Sequence, residues 1–181
     1  TLEDLNRAWN TSFWGHTFYD WDEIVLPSNL SEHWGNNKSN FQGISLDYSR
    51  FNSDSLLECY LLEYHAIKRH IPESIITTNL MGFYKELDYF KWAQHLDIVS
   101  WDSYPALDTP FSFTAMAHDL MRGLKDGQSF MLMEQTPSQQ NWMPYNSLKR
   151  PGVMRLWSYQ SIAHGADTVL FFQLRRSHCP S

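Results

Sequence analysis

From about residue 54 the chain alternates between apolar positions at helical spacing and short continuous apolar runs. Leu57, Tyr60, Leu61, Tyr64 and Ile67 lie on one helical stripe that Pro72 closes after His70, and Ser55 to Glu58 (SLLE) is a capping-box pattern at its front. Ser74 to Asn79 is short and β-branched and predicts a strand. Leu87, Phe90, Ala93 and Leu96 predict a second helix, and Asp97 to Trp101 a second strand. Phe113, Met116, Ala117, Leu120, Met121 and Leu124 predict a third helix, closed by Lys125 and Gly127, with the strand Ser129 to Met133 behind it. Pro151 opens a fourth helix carrying Val153, Leu156 and Trp157, Gly165 ends it, and Asp167 to Gln173 is the fourth strand.

Apolar strands alternating with helices imply a parallel sheet covered by helices. The pattern predicts four helix–strand units over residues 54–181. Residues 1–53 differ: they are aromatic, rich in Asn and Ser and irregular, with one helical piece near Leu2–Trp9, and they predict a loop-rich excursion. The aromatic density of FWGHTFYDW favours order there. Two architectures fit the four units. One is a small doubly wound sheet; the other is half of a (β/α)8 barrel, whose full form takes about 250 residues.

Composition narrows the partners. A chain of 181 residues that is 43% apolar and 19% charged is globular. Its net charge of -6 and lack of a dense Lys/Arg run argue against nucleic acid. No apolar run reaches the roughly 20 residues of a membrane-spanning helix. Two cysteines give neither a disulfide framework nor a metal spacing, which favours a reducing compartment. The eight histidines show no HExxH, and no Gly-rich phosphate loop occurs, so no metal or cofactor is expected. Asn10, Asn29 and Asn37 head glycosylation sequons, which matter only in a secreted protein. Eight tryptophans and nine tyrosines supply flat faces suited to sugar rings, or equally to filling a core.

In either architecture ligands bind at the C-terminal edge of the parallel strands. The predicted strands deliver Asn79, then Trp101 to Tyr104, then Glu134 and Gln135, then Gln173 followed by Arg175 and Arg176. Glu134 stands out, because SFMLMEQT ends an apolar strand in one carboxylate. A loop glutamate is more often a cap or an ion-pair partner. Here the apolar flank and the long following loop TPSQQNWMPYN, with Trp142 as a sugar platform, favour a site. Tyr104 and Asn79 divide evenly between site and structural roles, and the arginine pair suits a solvated tail.

The segments LNRAWNTSFW, DYSRF, TTNLMGFYKELDYFKWA, DIVSWDSYP, AHDLMRGLK, FMLMEQTPSQQNW, LKRPGVMRLWSYQSIAHGAD and FFQLRRS run through nearly the whole chain in order. Through them the sequence resembles the catalytic domain of glycoside hydrolase family 42, the bacterial β-galactosidases. The resemblance implies an α/β fold, the C-terminal half of a (β/α)8 TIM barrel with its fifth to eighth strands. It implies a retaining hydrolase acting on β-galactosides, cytoplasmic in bacteria, without a cofactor and homotrimeric as a complete enzyme. Glu134 matches the nucleophile, Tyr104 the tyrosine that hydrogen-bonds it, and Trp142 and Trp14 the aromatics of the galactose pocket, with Asn79 a further substrate-binding candidate. The family's acid/base glutamate follows an asparagine, and no Asn-Glu pair occurs in these 181 residues. That segment is expected upstream of Thr1, as are the first four strands and the zinc-binding cysteines of some members. Leu174 also stands where the family usually has tryptophan, before a divergent HCPS tail. The expectation is therefore half a barrel, inactive by itself. A non-catalytic sugar-binding half-barrel and a small doubly wound binding module are the alternatives.

Overall fold

The structure, a computed structural model, describes residues 1–27, 42–137 and 148–173, and of Trp14 and Gln42 the backbone alone. The chain divides into two units, Thr1–Tyr60 and Leu61–Ser181.

In the first unit, α1 spans Leu2–Trp9 as the apolar pattern predicts. Thr1 caps it: its hydroxyl accepts from the Asp4 N–H at 3.2 Å, and Asp4 in turn bonds Arg7 at 2.7 Å. Asn10 ends it in the left-handed region, with φ 53°. The segment that follows is irregular but tied down by Asn6. The Asn6 amide donates to Phe18 O at 2.7 Å, and its oxygen accepts from Thr11 Oγ1 at 2.6 Å and Phe18 N at 2.9 Å. Short 3-10 helices cover Thr11–Trp14 and Trp21–Glu23. The Trp9 indole N–H reaches Asp47 at 2.9 Å, and its ring lies so close to Gly43 that a Cβ there would come within 2.9 Å.

Asp47 belongs to α2, Gln42–His70, a helix of 29 residues. It begins well before the SLLE pattern at Ser55, so residues 42–53 are helical rather than loop. The physical reason is that a capping box starts a helix only where the preceding chain leaves it. Ile44 to Asn52 contains no Gly or Pro, and the Asp47–Arg50 pair at 3.0 Å supports the turn. Ser53, Leu57 and Tyr60 are buried, and Tyr64 and Lys68 continue the stripe half-buried.

In the second unit, the end of α2 is held by Asp97. Its carboxylate accepts from Tyr64 Oη at 3.0 Å and Ile76 N at 2.9 Å and pairs with Lys68 Nζ at 3.0 Å. Burial pushes the Asp97 carboxyl up, but these donors outweigh it and hold the group below its ordinary range. The predicted strand Ser74–Asn79 forms ladder bonds only at β1, Asn79–Leu80. Upstream, side chains replace the ladder. Thr77 Oγ1 donates to Ile98 O at 2.6 Å and Ser100 Oγ to Thr78 O at 3.0 Å.

The remaining elements are α3 (Tyr89–Ala93), β2 (Ser100–Ser103), α4 (Phe111–Gly123), β3 (Phe130–Gln135), α5 (Val153–Ala163) and β4 (Ala166–Phe171). All strands pair in parallel, in the order β1-β2-β3-β4. A doubly wound sheet reverses its order at a switch point, and this one does not, which counts against the small doubly wound module. Right-handed crossovers in sequential order put the connecting helices on one face. On that face His118 of α4 lies 5.0 Å from the Trp101 ring and stacks on Phe130 at 5.5 Å, while Gln135 bonds Met154 O and Ser158 of α5. Leu80, Leu96, Val99, Met121, Phe130 and Leu132 form the core. Among the described residues no helix is long and apolar enough to cross a membrane.

Candidate active site

Residues after a strand's last turn point to one face or the other according to the pleat, so the placement of Glu134 depends on register. Strict alternation along β3 would set Glu134 beside Phe130 and Leu132, facing the helices. The ladder departs from alternation. Trp101 pairs with Leu132 and Asp102 with Glu134, which leaves Met133 as an extra residue in β3. Against β4 the count agrees, because Leu132 pairs with Val169 and Gln135 with Phe171. This β-bulge returns Gln135 to the helix face, where it bonds Ser158 at 3.2 Å. Glu134 therefore projects from the opposite face, at the C-terminal end of its strand.

Three of the residues singled out in the sequence meet there with a fourth. The Tyr104 hydroxyl, just past β2, donates to Glu134 Oε2 in a short hydrogen bond. Asp102 sits directly across from Glu134 in the β2–β3 register. Asn79, at the end of β1, donates its amide to Asp102 Oδ1 at 2.9 Å. The chain order Asn79, Asp102, Tyr104, Glu134 is thus a row of polar groups along the strand ends.

The row has a definite electrostatic character. Burial pushes the Asp102 carboxyl up to about 6, and the facing Glu134 charge adds to this against the Asn79 amide. The Tyr104 hydroxyl is raised above its ordinary value by burial, by its bond to Glu134 and by both carboxylates, so it keeps its proton as a donor. Behind the sheet, burial and the neighbouring His164 lower His118 to about 4, so its ring is neutral at neutral pH. His118 Nδ1 and the Trp101 indole N–H are buried without a partner among the described residues.

Trp142, Arg175 and Arg176 lie outside the described residues. The backbone of Trp14 falls in the first unit, and Tyr104, Asn79 and Glu134 in the second. Asp102 is the residue that the sequence reading placed at the rim without singling out. Its signal was present: it lies two positions before Tyr104 in the same predicted strand-end segment, WDSY, and so shares its face if the extended chain runs on to Tyr104. Among the described residues no cluster of His, Cys, Asp and Glu could hold a metal ion.

A cleft of about 590 Å³ lies between α4 and the ends of β1 and β2, lined by Phe83, Trp101, Asp102, Tyr104, Phe113 and Thr114 among others; Asn79 and Glu134 are not in its lining. A phenol-held carboxylate at the C-terminal rim of a sequentially ordered parallel sheet places the chain in the α/β class, with polar groups gathered where such folds bind ligands. Comparison with known proteins gives the family. The model of the glycoside hydrolase family 42 β-galactosidases matches residues 1–181, and the chain belongs to that family. It is 76% identical over 177 residues to the β-galactosidase BgaP of Planococcus sp. (strain L4), covering 98% of this chain and 26% of that protein. The crystal structure of the β-galactosidase from Bacillus circulans sp. alkalophilus superposes with a TM-score of 0.94 at 74% identity, covering 99% of this chain and 26% of that one. A catalytic glutamate-to-alanine mutant of Gan42B, a β-galactosidase of this family from G. stearothermophilus, matches at 40% identity with a TM-score of 0.88, covering 100% of this chain and 27% of that one. The chain thus spans about a quarter of the length of the relatives it matches.

Proposed function

We propose that the chain carries the nucleophile of a retaining β-galactosidase, with Glu134 attacking the anomeric carbon. The observation that carries this is the Tyr104 hydroxyl donating to Glu134 at the strand end. A donor on one carboxylate oxygen orients the side chain and leaves the other oxygen for attack. The sequential parallel order and the match to a quarter of solved β-galactosidases support the chain as the fifth to eighth strands of a (β/α)8 barrel. The Gan42B mutant supports glutamate chemistry in the family.

Retaining hydrolysis needs two carboxyl groups about 5–5.5 Å apart that flank the scissile bond. Asp102 does not fill the second role. It stands side by side with Glu134 on the neighbouring strand, so both would approach the sugar from one side. In this reading the acid/base carboxyl comes from outside these residues, in keeping with the absence of an Asn-Glu pair from them. Without it an unactivated sugar leaving group loses about 10²–10⁴-fold in rate. A cytoplasmic, homotrimeric complete enzyme belongs to the same reading.

The test has two arms. The purified chain is mixed with a nitrophenyl β-galactoside and is expected to release little nitrophenol; turnover at the rate of a complete family member would refute the need for a second carboxyl from elsewhere. The chain is then placed in BgaP of Planococcus in exchange for its matching segment. This BgaP chimera is expected to turn over, and a 2-deoxy-2-fluoro galactosyl fluoride is expected to label Glu134 in it. A label on any other residue would remove Glu134 as nucleophile. A sugar-binding but non-catalytic role predicts that Glu134→Gln leaves both binding and turnover of the chimera as they were.

A further inference from the structure

We propose that Gln135 and Ser158 form a latch that aims Glu134. The buried Gln135 amide, held by the first turns of α5, fixes which residue of the β3 bulge leaves the strand toward the site. This deepens the reading of Glu134 as nucleophile and rests on it. Gln135 and Ser158 act through Glu134, as positioning residues.

The latch follows from what one buried side chain demands. Gln135 is 1% exposed, and an amide removed from water needs protein partners for its N–H groups and its oxygen. It finds them in α5. Gln135 Nε2 donates to Met154 O at 3.1 Å and to Ser158 Oγ at 3.2 Å. The Ser158 hydroxyl lies 3.2 Å from Gln135 Oε1 and 2.9 Å from Met154 O, and its one proton serves either acceptor. The main chain of the same residue is tied on its other side, where Gln135 O accepts from Phe172 N at 3.0 Å.

The bulge turns that local demand into a direction. Leu132 is 1% exposed and faces the helices, so strict alternation would put Glu134 on the same face and Gln135 on the opposite one. With Leu132 and Gln135 both held against the helices, two residues span the gap where alternation allows one. The second of them, Glu134, then leaves the strand on the far face, across from Asp102. The two pins differ in kind. Leu132 is held by apolar contact, which is not directional; the Gln135 amide is held by bonds that only one rotation of the strand can make. A slip by one residue would press the Glu134 carboxylate against α5 and strip the amide of its partners, so the amide opposes the slip. Tyr104 holds one oxygen of the carboxylate, and Gln135 holds the backbone that carries it.

The experiment follows labelling of Glu134 in the BgaP chimera by 2-deoxy-2-fluoro galactosyl fluoride, which separates binding of the sugar from attack on it. Gln135→Leu keeps the volume and removes the amide. It is expected to lower the labelling rate at saturation about 10- to 100-fold and to change the half-saturating concentration by less than about threefold, while every site is still labelled in the end. Ser158 is only half-buried, so its variants perturb the fold less. Ser158→Ala is expected to slow labelling about three- to tenfold, and Ser158→Thr, which keeps the hydroxyl, to stay within about twofold. The double variant should match Gln135→Leu alone, because both substitutions open one latch. A rate unchanged in both Gln135→Leu and Ser158→Ala would overturn the proposal. So would a smaller labelled fraction at an unchanged rate, which is what a role in folding alone produces. Failure of the nucleophile reading shows separately, as a label on some residue other than Glu134 in the chimera without these substitutions.

Discussion

Replacing Tyr104 with Phe removes one hydroxyl and keeps the ring that lines the cleft. The lost group is the donor to Glu134 Oε2, and it is a donor throughout the assay range because its own ionisation is pushed upward by burial and by the carboxylates. A hydrogen bond to a charged acceptor is worth about 1.5–3 kcal/mol. Both side chains are half-buried, so water replaces part of the bond, and about 1.5–2 kcal/mol is the appropriate range. The step in which this matters follows from where charge develops. When the glycosyl-enzyme forms, the Glu134 charge is consumed and the bond weakens. When water releases the sugar, the carboxylate charge returns and the bond strengthens. The donor therefore lowers the barrier to release, and its loss slows that step by about 10- to 30-fold. The expected signature in the BgaP chimera is a kcat about 10- to 30-fold lower, a KM lowered nearly in proportion, and kcat/KM changed by less than about threefold. Stopped-flow measurement of nitrophenol release should show a burst as the glycosyl-enzyme accumulates. A fall in kcat/KM with kcat unchanged and no burst would refute the argument that Tyr104 acts on the returning charge.

Three further outcomes follow from the geometry. Deleting Met133 removes the bulge and turns Glu134 toward the helices, so turnover by the chimera is expected to fall roughly 10⁴-fold or more, while Met133→Leu, which keeps the residue count, stays within about tenfold. Burial lowers His118 to about 4 in the folded chain, so the unfolded chain binds a proton that the folded one refuses; stability is fully present above the ordinary histidine value and lost as pH falls toward 4, by up to about 3 kcal/mol. Thermal unfolding of His118→Phe should show a flatter dependence between pH 6.5 and 4, and an unchanged slope would exclude His118 as its source. Asp102 has the opposite sign: its carboxyl is raised to about 6, so its contribution is present at low pH and lost as pH rises through 6. Asp102→Asn is expected to raise the unfolding midpoint more at pH 7.5 than at pH 5, and the reverse order would contradict the burial argument.

The sequence by itself determined the unit order and the residues that reach the rim. Helical and apolar runs are local signals, so α1, α4 and α5 fall close to where periodicity places them. The same spacing carried Asn79, Tyr104 and Glu134 to strand ends. The start of α2 was hidden because the capping signal at Ser55 competes with a helix-compatible run before it. The early end of the β1 ladder was hidden as well, because the Thr77 and Ser100 hydroxyls take bonds that a backbone partner would otherwise make. Tertiary structure alone decided which way the carboxylate points. Nothing in FMLMEQ marks Met133 as extra; the bulge exists because β3 pairs with β2 and β4 in a register set by core packing around Phe130, Leu132 and Gln135. Period-two alternation is a property of one strand, whereas a bulge is a property of a pair. For that reason the facing of Glu134 toward Asp102 and Tyr104 emerged only when the strands were laid side by side.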